Sequence, residues 1–451
     1  MAQKTAARNI TEGVIRKQLL AFFFPILLGT FFQQMYNTVD TIIVGRFVGT
    51  QALAAVGSTG ALISLLNGFF IGLSSGATVL VSQFYGAWDH DGVKKSIHTG
   101  IGLSLVLGLL ISFFGLCFGP QILILMKTPG DCLEGATVYA RIFFSGAVVS
   151  MIYNMGAGIL RAMGDSRRPM IFLVITCFVN IFLDIFCVVF LKMGVAGAAV
   201  ATVLSQAISA VLVVIVLMKL PEEHALQLSR IRIDPILLKR VLSVGVPAGL
   251  QFVTFDLANL LIQSGINSFG SATIAAFTAY AKADMLTWML SGAFGVAITT
   301  FVGQNYGAQK YDRIYKSVRI CLGMGVVLIG FCSALIILFR HFILGIFSAD
   351  PEVIRLGAWL MLWVVPFNVI FVPVEIFAGS MRGTGYSAVP TAITCVCVCI
   401  FRVLWLFTVV SRFHTLEMLM VCYPISWILA DIAFLITYRR GNWLRKQPES
   451  A

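Results

Sequence analysis

The chain writes one phrase twice. "VSQFYGAWDHDGVKKSI" begins at Val81 and "VGQNYGAQKYDRIYKSV" at Val302, and at this offset of 221 about eight of seventeen positions agree. A second pair keeps the register: Gly158, Arg161, Gly164, Ser166 and Pro169 fall on Gly379, Arg382, Gly385, Ser387 and Pro390. Gly49, Ala54 and Ala55 fall on Gly270, Ala275 and Ala276, and Pro25 meets Pro247 if one residue is inserted between them. A unit of roughly 220 residues is too long for a solenoid repeat and has the size of a six-helix half-transporter.

Hydropathy decides what fills each unit. Apolar residues make up 59% of the 451, charged ones 12%, and the mean hydropathy is +0.92, against about half apolar and a quarter charged in soluble domains. Runs such as "IGLSLVLGLLISFFGLCFG" from Ile101 are long enough, with their flanks, to cross a hydrocarbon core of about 30 Å. Twelve such runs lie near 18–44, 52–80, 95–118, 137–160, 170–191, 196–218, 241–267, 273–301, 320–345, 356–380, 388–411 and 416–438. They are continuous and about twice the length of a barrel strand, so alternating membrane strands are a poor description. The expected fold is an all-α membrane protein of twelve transmembrane helices, in two six-helix bundles related by a pseudo-twofold around a central cleft. An even number of spans per half makes both halves enter the membrane in the same direction, which sets that axis along the membrane normal. Residues 1–218 form the expected N-terminal lobe, 219–237 a cytoplasmic linker and 238–451 the C-terminal lobe.

Charge gives the orientation. Of 32 lysines and arginines, 23 lie in the termini and even-numbered loops, six in the odd-numbered loops and three (Arg141, Lys282, Arg402) inside spans. The positive-inside bias places both termini in the cytoplasm of a multi-pass plasma (inner) membrane protein. The same bias accounts for the net charge of +12, which argues topology and not nucleic-acid binding. The opening "MAQKTAARNITEGVIRKQLL" lacks a small-residue cleavage site after a short apolar core and reads as a cytoplasmic leader into the first span. The ten cysteines are nearly all within spans, and those of "CVCVC" from Cys395 spread around a helix, so packing is their expected role. Arg161 and Arg382, in the second repeated motif at the cytoplasmic ends of spans four and ten, read as interfacial anchors.

These features resemble the multidrug and toxic compound extrusion (MATE) family. The likeness rests on "QQMYNTVDTIIVGRFVG" in span one and on the repeated phrases that end spans two and eight. It rests also on "GILRAMGDSRRP" with "GSMRGTGYSAVP" ending spans four and ten, and on "NIFLDIFCVVFLKMGVAGAAVATVLSQ" across spans five and six. No one motif is decisive, but their order and duplication are specific, and the match runs over nearly the whole chain. What the resemblance implies is an antiporter of two lobes around a central cavity, in which sodium or protons enter while an organic, usually cationic, compound leaves.

A carboxylate at the centre of a membrane helix costs about 2.5 to 3.5 kcal/mol, so each one is a functional hypothesis. Asp40, Asp184, Asp256, Asp284, Glu375 and Asp431 qualify. Counting from the outer span ends, Asp40, Asp184 and Thr202 all fall roughly 9 to 12 Å below the outer surface at 1.5 Å per residue, and Asn180 lies one turn from Asp184. Two carboxylates with amide and hydroxyl oxygens at one depth suit a small hard cation such as Na+, or a proton shared because both acids cannot ionise cheaply. The resemblance adds that one branch of the family binds its coupling ion at the residues that match Asp40, Asn180, Asp184 and Thr202. Gln34, Tyr36 and Asn37 are candidates for substrate contact, or for hydrogen-bonded helix glue around Asp40. Asp256, Lys282 and Asp284 are candidates for a second site, Asp256 with Lys282 being equally a structural ion pair, and Glu375 is a candidate substrate contact from the cytoplasmic side or, equally, a solvated side chain of the inward-open cleft.

The expected function is cation-coupled export of amphipathic, mostly cationic compounds by a monomer in the lipid bilayer, with Na+ or H+ as coupling ion and no organic cofactor. One alternative is a flippase for a lipid-linked precursor, which calls for a cationic cavity where this chain has six intramembrane acids against three bases. Another is a membrane-embedded enzyme. His90, His98, His224, His341 and His414 fall in or near loops with no HExxH spacing, which argues against it.

Overall fold

The computed structural model describes residues 10–126 and 128–444; the expectations for the leader through Arg8, for Lys127 and for Arg445 and Lys446 lie outside them. The described chain is helical. Its long elements are α1 (Ile15–Phe47), α2 (Thr50–Gly86), α3 (His90–Leu125), α4 (Gly130–Ser145), α5 (Ala147–Ala162), α6 (Arg167–Phe190) and α7 (Gly194–Met218), then α8 (Pro235–Asn267), α9 (Ser271–Gly307), α10 (Tyr311–Leu338), the short α11 (Arg340–Phe347), α12 (Pro351–Gly383), α13 (Ala388–Phe413) and α14 (Leu416–Arg440). Eleven are long and apolar enough to cross a membrane, and α4 with α5, bent by 48°, makes the twelfth span. Each of the twelve runs expected from hydropathy falls on one of them.

The duplication is visible in backbone conformation. Left-handed residues recur at the 221 offset: Gly49 and Gly270 (φ 118° and 96°), Trp88 and Gln309 (61° and 56°), Gly164 and Gly385 (90° and 89°). A left-handed residue after a helix lets the next N–H reach back to an orphan carbonyl. Asp89 N donates to Phe84 O at 3.0 Å, and Lys310 N to Asn305 O at 2.9 Å. The repeated phrase is therefore one tight interhelical turn built twice. Helix breaks recur too: the bend at Gly146 between α4 and α5 is matched in α12 by a 3-10 turn at Val365–Phe367, around Pro366.

The chain divides into two compact units, Phe24–Gly249, and Thr11–Phe23 with Leu250 onward. The beginning of α1 thus belongs to the second unit, and the beginning of α8 to the first. Within the first unit, α2 and α8 approach backbone to backbone. A Cβ on Gly72 would lie 2.2 Å from Gly249 N, one on Gly76 2.2 Å from Val241 O, and one on Gly245 2.7 Å from Leu73 O. Facing G-x-x-x-G pairs permit this, since helix contact in lipid comes from close packing. In the second unit Gly379 and Gly383 of α12 meet the carbonyls of Gly295 and Thr299 on α9 in the same way. At the start of α1, Arg313 donates to Gly13 O just before the helix at 2.8 Å and to Gln18 Oε1 in its first turn at 2.6 Å.

The segment between α7 and α8 is laid along one face of α3. Lys94 Nζ donates to Glu222 O (3.2 Å), and Thr99 Oγ1 accepts from Asp234 N (3.2 Å). His98 Nε2 accepts from Gln227 N (3.1 Å) while its Nδ1 faces Lys94 O (2.8 Å), which makes Nδ1 the protonated nitrogen. Gly102 is packed under Ile231 and Ile233. Asp234 then caps α8, accepting from Ile236 N and Leu237 N at 2.9 and 3.1 Å. His224 is buried in this arrangement, and burial beside His90 pushes its imidazole below the usual histidine range, with Glu223 opposing.

Candidate functional site

Four helices of the first unit bring polar side chains into one dry region. Asp40 comes from α1, Asn180 and Asp184 from α6, Thr202 from α7, and Tyr139 from α4. Asn180 and Asp184 are 0% exposed, Asp40 and Thr202 6%. Asp184 lies within the electrostatic reach of Asp40, and the Tyr139 hydroxyl stands beside Asp40 and Thr202, close enough to feel Asp184. Tyr139 packs with Ile43, Val44, Val188, Ala198 and Ala199, an apolar surround that keeps water out.

Six polar atoms in this nest are unpaired. Asp40 Oδ1, both carboxylate oxygens of Asp184, Asn180 Oδ1 and Nδ2, and Thr202 Oγ1 are buried with no hydrogen-bond partner among the described residues. Buried polar groups are paired in the great majority of cases because leaving one unmade costs about 1 to 3 kcal/mol, and more if charged. Five orphan oxygens together, two carboxylates among them, form a donor set for a small hard cation, which takes oxygen ligands only. The backbone is specialised at the same place. Regular α-helix ends at Asp184 and a π-helical turn, Ile185–Phe190, follows; such turns gather at functional sites because they re-aim side chains.

A polar column continues one turn further along the helices. Tyr36 on α1, Thr176 on α6 and Gln206 on α7 stand four residues from Asp40, Asn180 and Thr202. Ser150 of α5 is hydrogen-bonded to Gln206, and Thr176 to Ser209. With Gln33 and Asn67 these residues line a cavity of about 20 Å³, enough for one water. Tyr139, Ser150, Thr176, Gln206 and Ser209 were not picked out from the sequence. The four-residue spacing on α1, α6 and α7 was the available signal, but hydroxyls and amides are common in membrane helices.

The remaining candidates separate. Tyr36 is buried in the polar column, while Asn37 is exposed and donates to Gln34 Oε1 at 3.4 Å. Asp256 is half-buried and Lys282 exposed. Asp284 is buried and saturated: Trp288 Nε1 donates to it at 2.8 Å, Asn368 Nδ2 at 2.6 Å, Thr287 Oγ1 at 2.5 Å and the Tyr280 hydroxyl at 3.3 Å. All its lone pairs are in use, so Asp284 ties α9 to α12. Glu375 has its Oε2 against Gly295 of α9 and feels the charge of Arg382. Arg161 and Arg382 are half-buried, and Arg161 Nε lacks a partner among the described residues.

The second unit repeats the architecture of the nest without its chemistry. It has π turns at Cys395–Ile400 and Leu406–Val410, and the latter starts 221 residues after Ile185. At that offset Asn180, Asp184 and Thr202 become Phe401, Trp405 and Tyr423, and Asp40 becomes Leu261, or Ile262 with the inserted residue. Among them lies the fully buried Arg402, 4.2 Å above the Tyr423 ring and 5.7 and 5.9 Å from those of Trp427 and Phe255, its Nε bonded to Ser426 Oγ at 3.0 Å. Aromatic faces stabilise a desolvated cation. The sequence marked Arg402 only as an intramembrane base; its cage was not foreseen.

Twelve apolar spans in a duplicated fold, with an oxygen nest sealed inside one bundle, are the architecture of a membrane transporter. The family model described as MatE matches residues 25–186 and again 247–408, and the chain belongs to that family. Both matched stretches begin at the prolines that the internal alignment paired with one inserted residue. The chain is 29% identical over 442 residues to the probable multidrug resistance protein YoeA of Bacillus subtilis, covering 96% of this chain and 95% of the relative. It is 26% identical over 440 residues to YpnP, another probable multidrug resistance protein of that organism, covering 97% and 98%. Among solved structures, a MOP superfamily transporter from Pyrococcus furiosus superposes with a TM-score of 0.90 at 23% identity, covering 99% of this chain and 100% of that one; at this identity the likeness speaks for the fold.

Proposed function

We propose that the protein is an antiporter of the plasma membrane, working as a monomer with both termini in the cytoplasm. It exports amphipathic, mostly cationic organic compounds in exchange for Na+ or protons. The observation that carries this reading is the set of orphan oxygens of Asp40, Asn180, Asp184 and Thr202. Buried carboxylate oxygens without partners are costly, and a monovalent cation arriving there removes much of that cost. Coupling follows if the cation and the drug favour opposite conformations or compete, because a ligand shifts an equilibrium only by its differential affinity. Relatives bearing the multidrug resistance name support the class of cargo. Phe401, Trp405 and Tyr423 stand in the second unit where the first has Asn180, Asp184 and Thr202, which supports placing this coupling site in the first.

The test is transport in proteoliposomes loaded with a fluorescent cationic dye, driven separately by sodium and by pH gradients, with wild type against Asp40→Asn. Wild type is expected to respond to one gradient and the variant to neither. Undiminished gradient-driven dye movement in the variant would remove Asp40 from the mechanism.

A further inference from the structure

The docked segment between α7 and α8 carries chemistry that transport does not use. His90 opens α3, and Glu223 and His224 lie more than 130 residues on, where the strap crosses it. His90 Nδ1 is 2.8 Å from His224 Nε2 and 3.3 Å from Glu223 Oε2. One ligand atom from each of the three lies within 4.8 Å of the other two. Ligands about 2.0 to 2.1 Å from a tetrahedral Zn2+ stand roughly 3.3 Å from one another, so a small adjustment would seat an ion.

We propose that His90, Glu223 and His224 form a binding site for a zinc-class transition-metal ion that fastens the segment between the two halves onto α3. Two imidazoles with one carboxylate select a borderline metal over Mg2+ or Ca2+, which take oxygen ligands. The set is preorganised by bonds the ion does not need: Lys94 to Glu222 O beside the site, and His98 to Gln227 N one turn along α3. Both nitrogens of His98 are engaged, which removes it from the ligand set. His224 is buried, its ring 5.8 Å from that of Tyr85, while His90 and Glu223 are exposed. The site borders a cavity of about 380 Å³ lined also by Trp88, Asp89 and Asp165, which gives an entry path and room for water as remaining ligand. In the apo state one N–H proton joins the two imidazoles; where the metal takes its place, that proton moves to the other nitrogen of the same ring, so both ligands stay neutral imidazoles.

The experiment uses the full chain in detergent micelles, stripped with chelator and titrated with Zn2+ against a chromophoric indicator at pH 7.5. A Co2+ titration followed in the visible range runs in parallel. Wild type is expected to bind one equivalent of Zn2+ and to give Co2+ absorption bands typical of four-coordinate nitrogen and oxygen ligation. His90→Gln and His224→Gln should each weaken binding at least tenfold and abolish the bands. Zn2+ should also slow tryptic cleavage at Arg230 and Arg232 in wild type and in neither variant. His90 is exposed at a helix start, so its variant keeps the test valid if His224→Gln fails to fold. The proposal is overturned if wild type binds no equivalent of Zn2+, or if the His90→Gln variant binds it equally well.

Discussion

Replacing Asp184 with Asn, a near-isosteric change, isolates the charge at the nest. Both carboxylate oxygens of Asp184 are buried without partners, and the side chain is 0% exposed. A unit charge about 4 Å from a monovalent ion contributes about 4 kcal/mol at an effective dielectric near 20. Removing it should weaken ion affinity by roughly a thousandfold, at 1.4 kcal/mol per tenfold. The same change relieves an unpaired buried charge beside Asp40, so the ion-free protein should become more heat-stable as binding is lost. Thermal unfolding of purified protein in detergent, with and without Na+ and across pH, reads both effects. The expected result is a variant with a higher midpoint in the absence of coupling ion, which no longer rises with Na+ or shifts with pH as wild type does. A variant that keeps the wild-type response to the ion, or that is less stable without it, would refute the argument that these oxygens await a cation.

Asp284→Ala should behave in the opposite way. Trp288, Asn368, Thr287 and Tyr280 would lose an acceptor, at a cost of about 1 to 3 kcal/mol for each neutral donor left buried and unpaired. The midpoint should fall, while the dependence of the remaining folded protein on Na+ or pH stays that of wild type. Gly72→Ala puts a methyl 2.2 Å from Gly249 N, where neither backbone can yield without the α2 and α8 axes parting. Overpacking of this kind costs about 1 to 3 kcal/mol. A lower midpoint and weaker cysteine cross-linking between α2 and α8 are expected, and an unchanged cross-link yield would show that the close approach does not hold these helices.

The sequence by itself determined the membrane, the twelve spans and the duplication, because these follow from local quantities. Hydropathy over twenty residues reports a span, and an offset of 221 is arithmetic on the chain. Asp40, Asn180, Asp184 and Thr202 were legible for a related reason: a charge in an apolar run is conspicuous, and depth can be counted from the span ends. Only the tertiary structure decided which of those charges lack partners. Asp184 and Asp284 look alike in sequence, yet one faces orphan oxygens and the other four donors, Asn368 arriving from a helix 84 residues away. Tyr139 at the nest, the aromatic cage of Arg402 and the meeting of His90 with His224 were invisible for the same reason. Pairing is a property of side chains from different helices, and helical periodicity fixes the face a residue occupies but not which neighbour covers it.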